Sequence, residues 1–353
     1  MKHLTKELKA LLHEGVVIPA HPLALHEDRT LDEHSQRRLT RYYMESGAGG
    51  VAVAVHSTQF EIRDPEINLF EKVLSLAAEE IEKAALQRPF IKIAGICGPT
   101  EQAVEEAEIA ADLGYDMGLL SMGGLQNWTE QEILDRVRAV AAVIPVFGFY
   151  LQPSVGGRIF SYDFWREFVD IENVEAIKCA SFNRYQTLDV MRALANSPRK
   201  EEVAMYTGND DNIVADLLTT YEFNVNGETV RVDFKGGLLG HWAVWTRRAV
   251  ELIEEIKAFK KEPDGKKSQY LLSKGIAVTD TNAAFFDPAH NFQGCIPGIH
   301  EVLRRQGLLK GIWCLNPKEV LSPGQFEEID RVYEEYPELH DDDFVKSFLD
   351  KEE

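Results

Sequence analysis

The chain has 353 residues, 44% of them apolar, enough for one large α/β barrel or two ordinary domains with a real core. Its formal net charge of -20, with no Lys/Arg cluster to form a phosphate-binding stripe, argues against nucleic acid and anionic membrane as partners. No run approaches ~18 apolar residues, and "MKHLTKELKALLHEG" reads as a short amphipathic helix rather than a signal peptide, so no membrane span is expected.

Short apolar runs alternate with helical patterns along the chain. "GVVIPAH" (15–21) precedes a helix near 31–46, and "GGVAVAVHS" (49–57) a helix near 67–86. "FIKIAGI" (90–96) leads into "TEQAVEEAEIAADLG", and "DMGLLS" (116–121) into "TEQEILDRVRAVAAV". "PVFGFY" (145–150) precedes "SYDFWREFVD", and "VEAIK" (174–178) a helix near 184–195. "EVAMYTG" (202–208) precedes a helix near 210–221, and "GGLLG" (236–240) a long helix from His241. Apolar runs without alternation read as parallel strands covered on both faces. Thr100, Thr129 and Ser161 stand where helix caps belong. Eight such units in roughly 250 residues have the size of a (β/α)₈ TIM barrel. No G-x-G-x-x-G follows the first strand, which weakens a doubly wound alternative.

Two segments lie outside the eight units. "FNVNGETVRVDF" (223–234) reads as a hairpin turning at Asn226-Gly227. Residues 263–353 read as a C-terminal helical extension packed on a barrel of residues 1–262. Cys97, Cys179, Cys295 and Cys314 show no C-x-x-C spacing, which fits reduced thiols in a cytoplasmic protein.

In such a barrel the chemistry sits where strands end. Those ends carry His21, His56-Ser57-Thr58, Gly95, Ser121, Tyr150, Lys178, Tyr206-Thr207-Gly208 and His241. Lys178 stands out, because lysine is seldom buried unless it is paired or used. Burial lowers the pKa of an amine from ~10.4 toward the range in which it attacks a ketone and forms a Schiff base. Tyr150, on the neighbouring strand, is expected to face the same cavity and to carry protons. The bland alternative is a lysine that escapes to the rim or pairs with a carboxylate.

These residues resemble a known family. Tyr150 in "PVFGFYLQPSVGG" and Lys178 in "VEAIKCAS" are similar to the Y-N-x-P and G-I-K-D-x-S segments of the dihydrodipicolinate synthase/N-acetylneuraminate lyase family. "VIPAHPLALHEDRTLDEHSQRRLTRYYMESGAGGVAV", "IAGICGPTEQAVEEAEIAADLGYDMGLL" and "YTGNDD" extend the likeness over residues 15–260, and the last brings in Gly208. The resemblance implies a class I Schiff-base aldolase or hydro-lyase acting on pyruvate or another 2-oxo acid, without a cofactor, as a homo-oligomer of two or four chains. It implies that Lys178 is the covalent amine and that the 56–58 loop binds the substrate carboxylate. In one register His56 and Ser57 take the place of the family's hydroxyl pair; shifted by one residue, Ser57 and Thr58 do. Departures are equally clear. The asparagine after the tyrosine is Leu151, the arginine past the proline is Val155 with Arg158 nearby, and the aromatic pair after the fourth strand is Met122-Gly123-Gly124. These departures argue against a true dihydrodipicolinate synthase and for a bulkier substrate.

Other candidates divide between site and scaffold. His21 is a proton carrier or a hydrogen-bonded wall, and His241, His290, Tyr206 and Trp242 read as scaffold. Cys179 points away from Lys178 by strand alternation, and Asp210 and Asp211 read as caps of the next helix. Two other functions compete. One is a metal-dependent hydrolase using His21, His56, His241 and Asp280, although the H-x-H pair of such barrels is absent; the other is a non-catalytic barrel that senses a 2-oxo acid.

Overall fold

The computed structural model describes residues 2–352. In chain order the elements are α1 (Lys6–Glu14), β1 (Val17–Pro19), α2 (Glu33–Glu45), β2 (Gly50–Val53), α3 (Phe70–Ala84), β3 (Ile91–Ile96), α4 (Thr100–Asp112), β4 (Met117–Ser121), α5 (Glu130–Ala141), β5 (Val146–Leu151) and α6 (Tyr162–Asp170). There follow β6 (Val174–Ala180), α7 (Arg184–Ala195), β7 (Ala204–Thr207), α8 (Ile213–Leu218), β8 (Thr220–Val225), β9 (Glu228–Leu239), α9 (Thr246–Lys261), α10 (Gly265–Phe286), α11 (Cys295–Arg305), α12 (Gln325–Glu335) and α13 (Asp342–Glu352). All eight expected β/α units are present, with β9 as the eighth strand. No helix among the described residues is long and apolar enough to cross a membrane.

Two compact units make up the chain. The first holds the residues up to Gly15 together with Ile91–Leu238. In it β3, β4, β5, β6, β7 and the second half of β9 run parallel, each paired with the next. Nearly every residue of these strands is buried, as expected for strands covered on both faces. Local chemistry starts the helices. Thr129 accepts from the Glu132 amide in a reciprocal capping box, Ser161 caps through the Phe164 amide, and Asn183 through Tyr185 and Gln186. Thr100 is not a cap: Pro99 holds that position and Thr100 is the first helical residue. The hairpin exists but is longer than its sequence signature. β8 and β9 pair antiparallel across Asn226 and Gly227, both with positive φ, as a tight two-residue turn requires. Beyond the hairpin β9 runs on unbroken to Leu239, so the hairpin arm and the eighth strand are one element.

The second unit holds Val16–Phe90 and the residues from Leu239 onward. Here β1 pairs with β2 through Ala20 and Ala52, and the Ala20 amide donates to the Leu239 carbonyl. The four C-terminal helices of the expected extension are all formed. Asp341 ties them to the earlier helices. Its carboxylate accepts from the Tyr42 hydroxyl of α2 at 2.7 Å, the Arg247 amide of α9 at 3.0 Å and the Gln306 side chain at 2.8 Å. Burial pushes the Asp341 carboxyl above the ordinary carboxylate range, and these donors work against that.

Removing a buried acceptor strands all its donors. Asp341→Ala should therefore cost about 2–4 kcal/mol of unfolding free energy by urea titration, and Asp341→Asn about half as much. A change under about 0.5 kcal/mol for Asp341→Ala would show that the network is not a fastening point.

Candidate active site

Lys178 lies in β6, a strand buried along its whole length. Its register partners are Phe149 on β5 and Tyr206 on β7. Register partners on parallel strands project from the same face. The Lys178 Nζ stands 4.3 Å from the Phe149 ring centroid. Gly208, just past β7, leaves the room this side chain occupies: a Cβ there would lie 2.5 Å from Lys178 Cε and 2.9 Å from the Ala180 Cβ. Gly208 is thus the mould of the lysine rather than a hydrogen-bonding group. Burial lowers the Lys178 amine to about 8, while the charge of Asp210 pulls the other way.

Asp210 is a residue that sequence reasoning missed, having assigned it to a helix cap. Asn212 holds that position, and Asp210 is buried instead in the loop after β7. The loop is organised by Asp216, which is fully buried. Asp216 accepts from Thr207 Oγ1 at 2.7 Å, Asn209 Nδ2 at 2.8 Å and Asn212 Nδ2 at 3.0 Å, and pairs with Arg184 at 2.6 Å. Only the G-x-D spacing of "TGNDD" pointed to Asp210. Ser121, at the end of β4, pairs with Phe149 and so shares the Lys178 face.

The structure does not bring Tyr150 to Lys178. Its register partner is Cys179, one residue on, so Tyr150 belongs to the opposite face. Its ring packs 4.8 Å from Trp165 and 6.1 Å from Phe160. The buried hydroxyl makes no hydrogen bond of good geometry, although the Phe160 backbone lies close enough to favour the phenolate. Burial outweighs that influence and pushes the phenol up to about 12. Arg158 is also committed, donating from Nη1 to the Leu125 and Trp128 carbonyls at 3.3 and 2.7 Å. Tyr206 is wall: its hydroxyl donates to the Leu12 carbonyl at 2.9 Å.

In the second unit the 56–58 segment forms a 3₁₀ turn after β2. Thr58 Oγ1 donates to the His21 carbonyl at 2.6 Å and accepts from the Val55 amide at 3.1 Å. Ser57 Oγ donates to the carbonyls of Ala20 and His21 at 3.0 and 3.3 Å. Both hydroxyls therefore fasten the turn to the segment that follows β1. His21 is fully buried, with Nε2 on Thr40 Oγ1 and Nδ1 against the Pro22 carbonyl and Gln36. Burial lowers its imidazole to about 4, so the ring is a neutral, hydrogen-bonded wall. His56 is half-buried, 5.9 Å from the Phe60 ring, and lines a cavity. The hydrolase alternative finds no support in the placement of its ligands. Asp280 is taken by Arg331 and Tyr336, and His241 stacks on Phe285. No group of three metal-binding side chains converges among the described residues.

No family model matches the chain. A 4-hydroxy-tetrahydrodipicolinate synthase of Dechloromonas aromatica is 26% identical over 195 residues, which span 55% of this chain and 63% of that protein. The solved dihydrodipicolinate synthase of Oceanobacillus iheyensis superposes with a TM-score of 0.72 at 17% identity, covering 94% of this chain and 99% of that one. The N-acetylneuraminate lyase of Fusobacterium nucleatum gives 0.70 at 17% identity over 92% of this chain and 99% of its own. The fold is therefore a (β/α)₈ barrel with added C-terminal helices. In sequence the chain is similar to part of a 4-hydroxy-tetrahydrodipicolinate synthase, and in fold to dihydrodipicolinate synthases and N-acetylneuraminate lyases.

One departure from that resemblance lies in the loop after β4. Gly124, where the resemblance places an aromatic residue, has open space around it, and a Cβ there would touch nothing within 4 Å.

The mould at Gly208 can be tested. Gly208→Ala should displace Lys178 and slow its modification by small amine-directed reagents at least about tenfold. The variant should keep native circular dichroism, because one methyl group at a loop costs only about 1–3 kcal/mol. Parental reactivity would show that Gly208 does not shape the site.

Proposed function

We propose that the protein is a Schiff-base-forming aldolase, lyase or hydro-lyase acting on a 2-oxo acid. The observation that carries this reading is Lys178: a buried amine lowered to about 8, on a strand face with Phe149 and moulded by Gly208. A neutral amine attacks the ketone carbon, and loss of water gives an iminium that draws electrons from the bond beyond the α-carbon. Asp210, whose charge acts on Lys178, is the proposed group to hold the proton released at the amine. By the same resemblance the 56–58 turn is the proposed carboxylate site, through His56 and the turn's main chain, since the Ser57 and Thr58 hydroxyls bond to the Ala20 and His21 carbonyls. The chemistry needs no cofactor. By the same resemblance the proposed assembly is a homo-oligomer of two or four chains, which light scattering measures.

Borohydride reduction with pyruvate should add the ligand's mass to the peptide that holds Lys178, and Lys178→Ala should abolish labelling and turnover. Labelling of another lysine, or none with any 2-oxo acid, would falsify the mechanism. Because the reactive form is the neutral amine, the trapping rate should rise about tenfold per pH unit below about 8 and level off above it. A rate flat from pH 6 to 9 would mean that the amine is not the titrating nucleophile.

Tyr150 offers a sharp choice. From its place on the opposite face, Tyr150→Phe should turn over within about threefold of the parent. A loss of about 10²–10⁴ would put the phenol in the proton path after all.

The open rim at Gly124 and the commitment of Arg158 to main-chain carbonyls favour a substrate bulkier than aspartate semialdehyde. Purified protein should show negligible condensation of pyruvate with aspartate semialdehyde. It should show measurable cleavage or dehydration of a larger 2-oxo acid. Efficient condensation with aspartate semialdehyde would refute the substrate assignment.

A further inference from the structure

A second cluster of the first unit forms where the loop after β3 meets α4 and α5. Arg136 of α5 is fully buried. Its Nε donates to the Gly98 carbonyl at 2.7 Å, so the guanidinium reaches the loop one residue past Cys97. Neither Nη finds an acceptor among the described residues, and both are shut off from solvent. Arginine is rarely buried in this state, because only acceptors offset the cost of taking the cation out of water. Burial lowers the Arg136 guanidinium to about 10, and the negative charge that works most against this is a thiolate at Cys97, ahead of the Glu106 carboxylate. An anion at Cys97 would give Arg136 the partner it lacks.

Cys97 is accessible as the other cysteines are not. It is partly exposed, whereas Cys179, Cys295 and Cys314 are buried. Three residues on, α4 begins at Thr100 with no side-chain cap, which adds the partial positive charge of a helix N-terminus to the same loop. Glu106 opposes these charges, but both its oxygens are engaged: Oε2 accepts from the Cys97 amide at 3.0 Å and Oε1 from Gln102 at 2.8 Å. A cationic neighbour and a helix N-terminus are the surroundings that make a cysteine a nucleophile.

We propose that Cys97 is a redox modification site, at which a hydroperoxide oxidises the thiolate to a sulfenate that Arg136 holds through its two Nη groups. The thiolate sulfur attacks one oxygen of the hydroperoxide, and the S–O bond forms as the O–O bond breaks. Sulfur gives two electrons to the peroxide, and the leaving alkoxide takes a proton from water and departs as an alcohol. A small thiol reverses the step. It attacks the protonated sulfenate, water leaves, and a second thiol opens the mixed disulfide to release Cys97. This site is independent of the 2-oxo acid reaction and stands without it.

The test is oxidation of the full chain by a few equivalents of hydrogen peroxide in the presence of dimedone, a 1,3-diketone that caps sulfenic acids, followed by peptide mass analysis. Cys97 should be capped about tenfold faster than Cys179, Cys295 or Cys314, and dithiothreitol added before dimedone should return the thiol. Arg136→Met, which keeps the aliphatic stem, should slow the capping about tenfold with native circular dichroism. Glu106→Gln, which keeps an acceptor for the Cys97 amide and removes the opposing charge, should speed it about threefold. No capping at Cys97, equal rates at the four cysteines, or a parental rate in folded Arg136→Met overturns the site. Where Arg136→Met does not fold, Glu106→Gln decides, and capping no faster than the parent's overturns the proposal.

Discussion

The first unit is arranged around one constraint, the removal of the Lys178 amine from water. A charged lysine in such a place is expensive, and the cost is reduced by holding the amine near the neutral form. Everything next to it serves that end or moderates it. Phe149 supplies an aromatic face, and Gly208 gives up a side chain so that the aliphatic stem fits. Asp210 prevents the shift from going further. Asp216 takes no direct part, yet it holds Thr207, Asn209 and Asn212 and so sets the loop on which Gly208 and Asp210 stand.

The second unit shows the same economy of buried polar groups with a different result. Asp341 and Asp287 are each surrounded by donors, and each fixes a junction between segments far apart in sequence. Neither is arranged for chemistry. His21, with both ring nitrogens occupied and no exposed surface, belongs with them. A polar residue at a strand end is therefore ambiguous until its partners are known: satisfied on all sides it is scaffold, and otherwise it is available to a ligand.

The β/α alternation was legible because strands covered on both faces leave unbroken apolar runs, and because caps such as Thr129 and Ser161 mark helix starts. The hairpin turn at Asn226-Gly227 was legible from the conformations those residues tolerate. Lys178 was legible as an anomaly of burial. Other assignments went astray for a common reason. Thr100 looked like a cap but follows Pro99, which takes that place, and Asp210 looked like a cap, but Asn212 holds that position and the charge of Asp210 acts on the lysine. Cap chemistry names a residue type; which neighbour claims the position depends on where the first helical turn closes.

The sequence by itself determined the succession of eight β/α units, the burial of Lys178 and the family likeness, since each rests on local pattern and short-range spacing. Only the tertiary structure decided which side chains meet. Tyr150 and Lys178 keep the spacing of the family pair, yet register aligns Lys178 with Phe149 and turns Tyr150 toward Trp165. Ser57 and Thr58 keep hydroxyls, yet the Ala20 and His21 carbonyls claim both. Strand pairing has a period of two, so a shift of one residue between neighbours moves a side chain to the opposite face, and no spacing along a single strand records that shift.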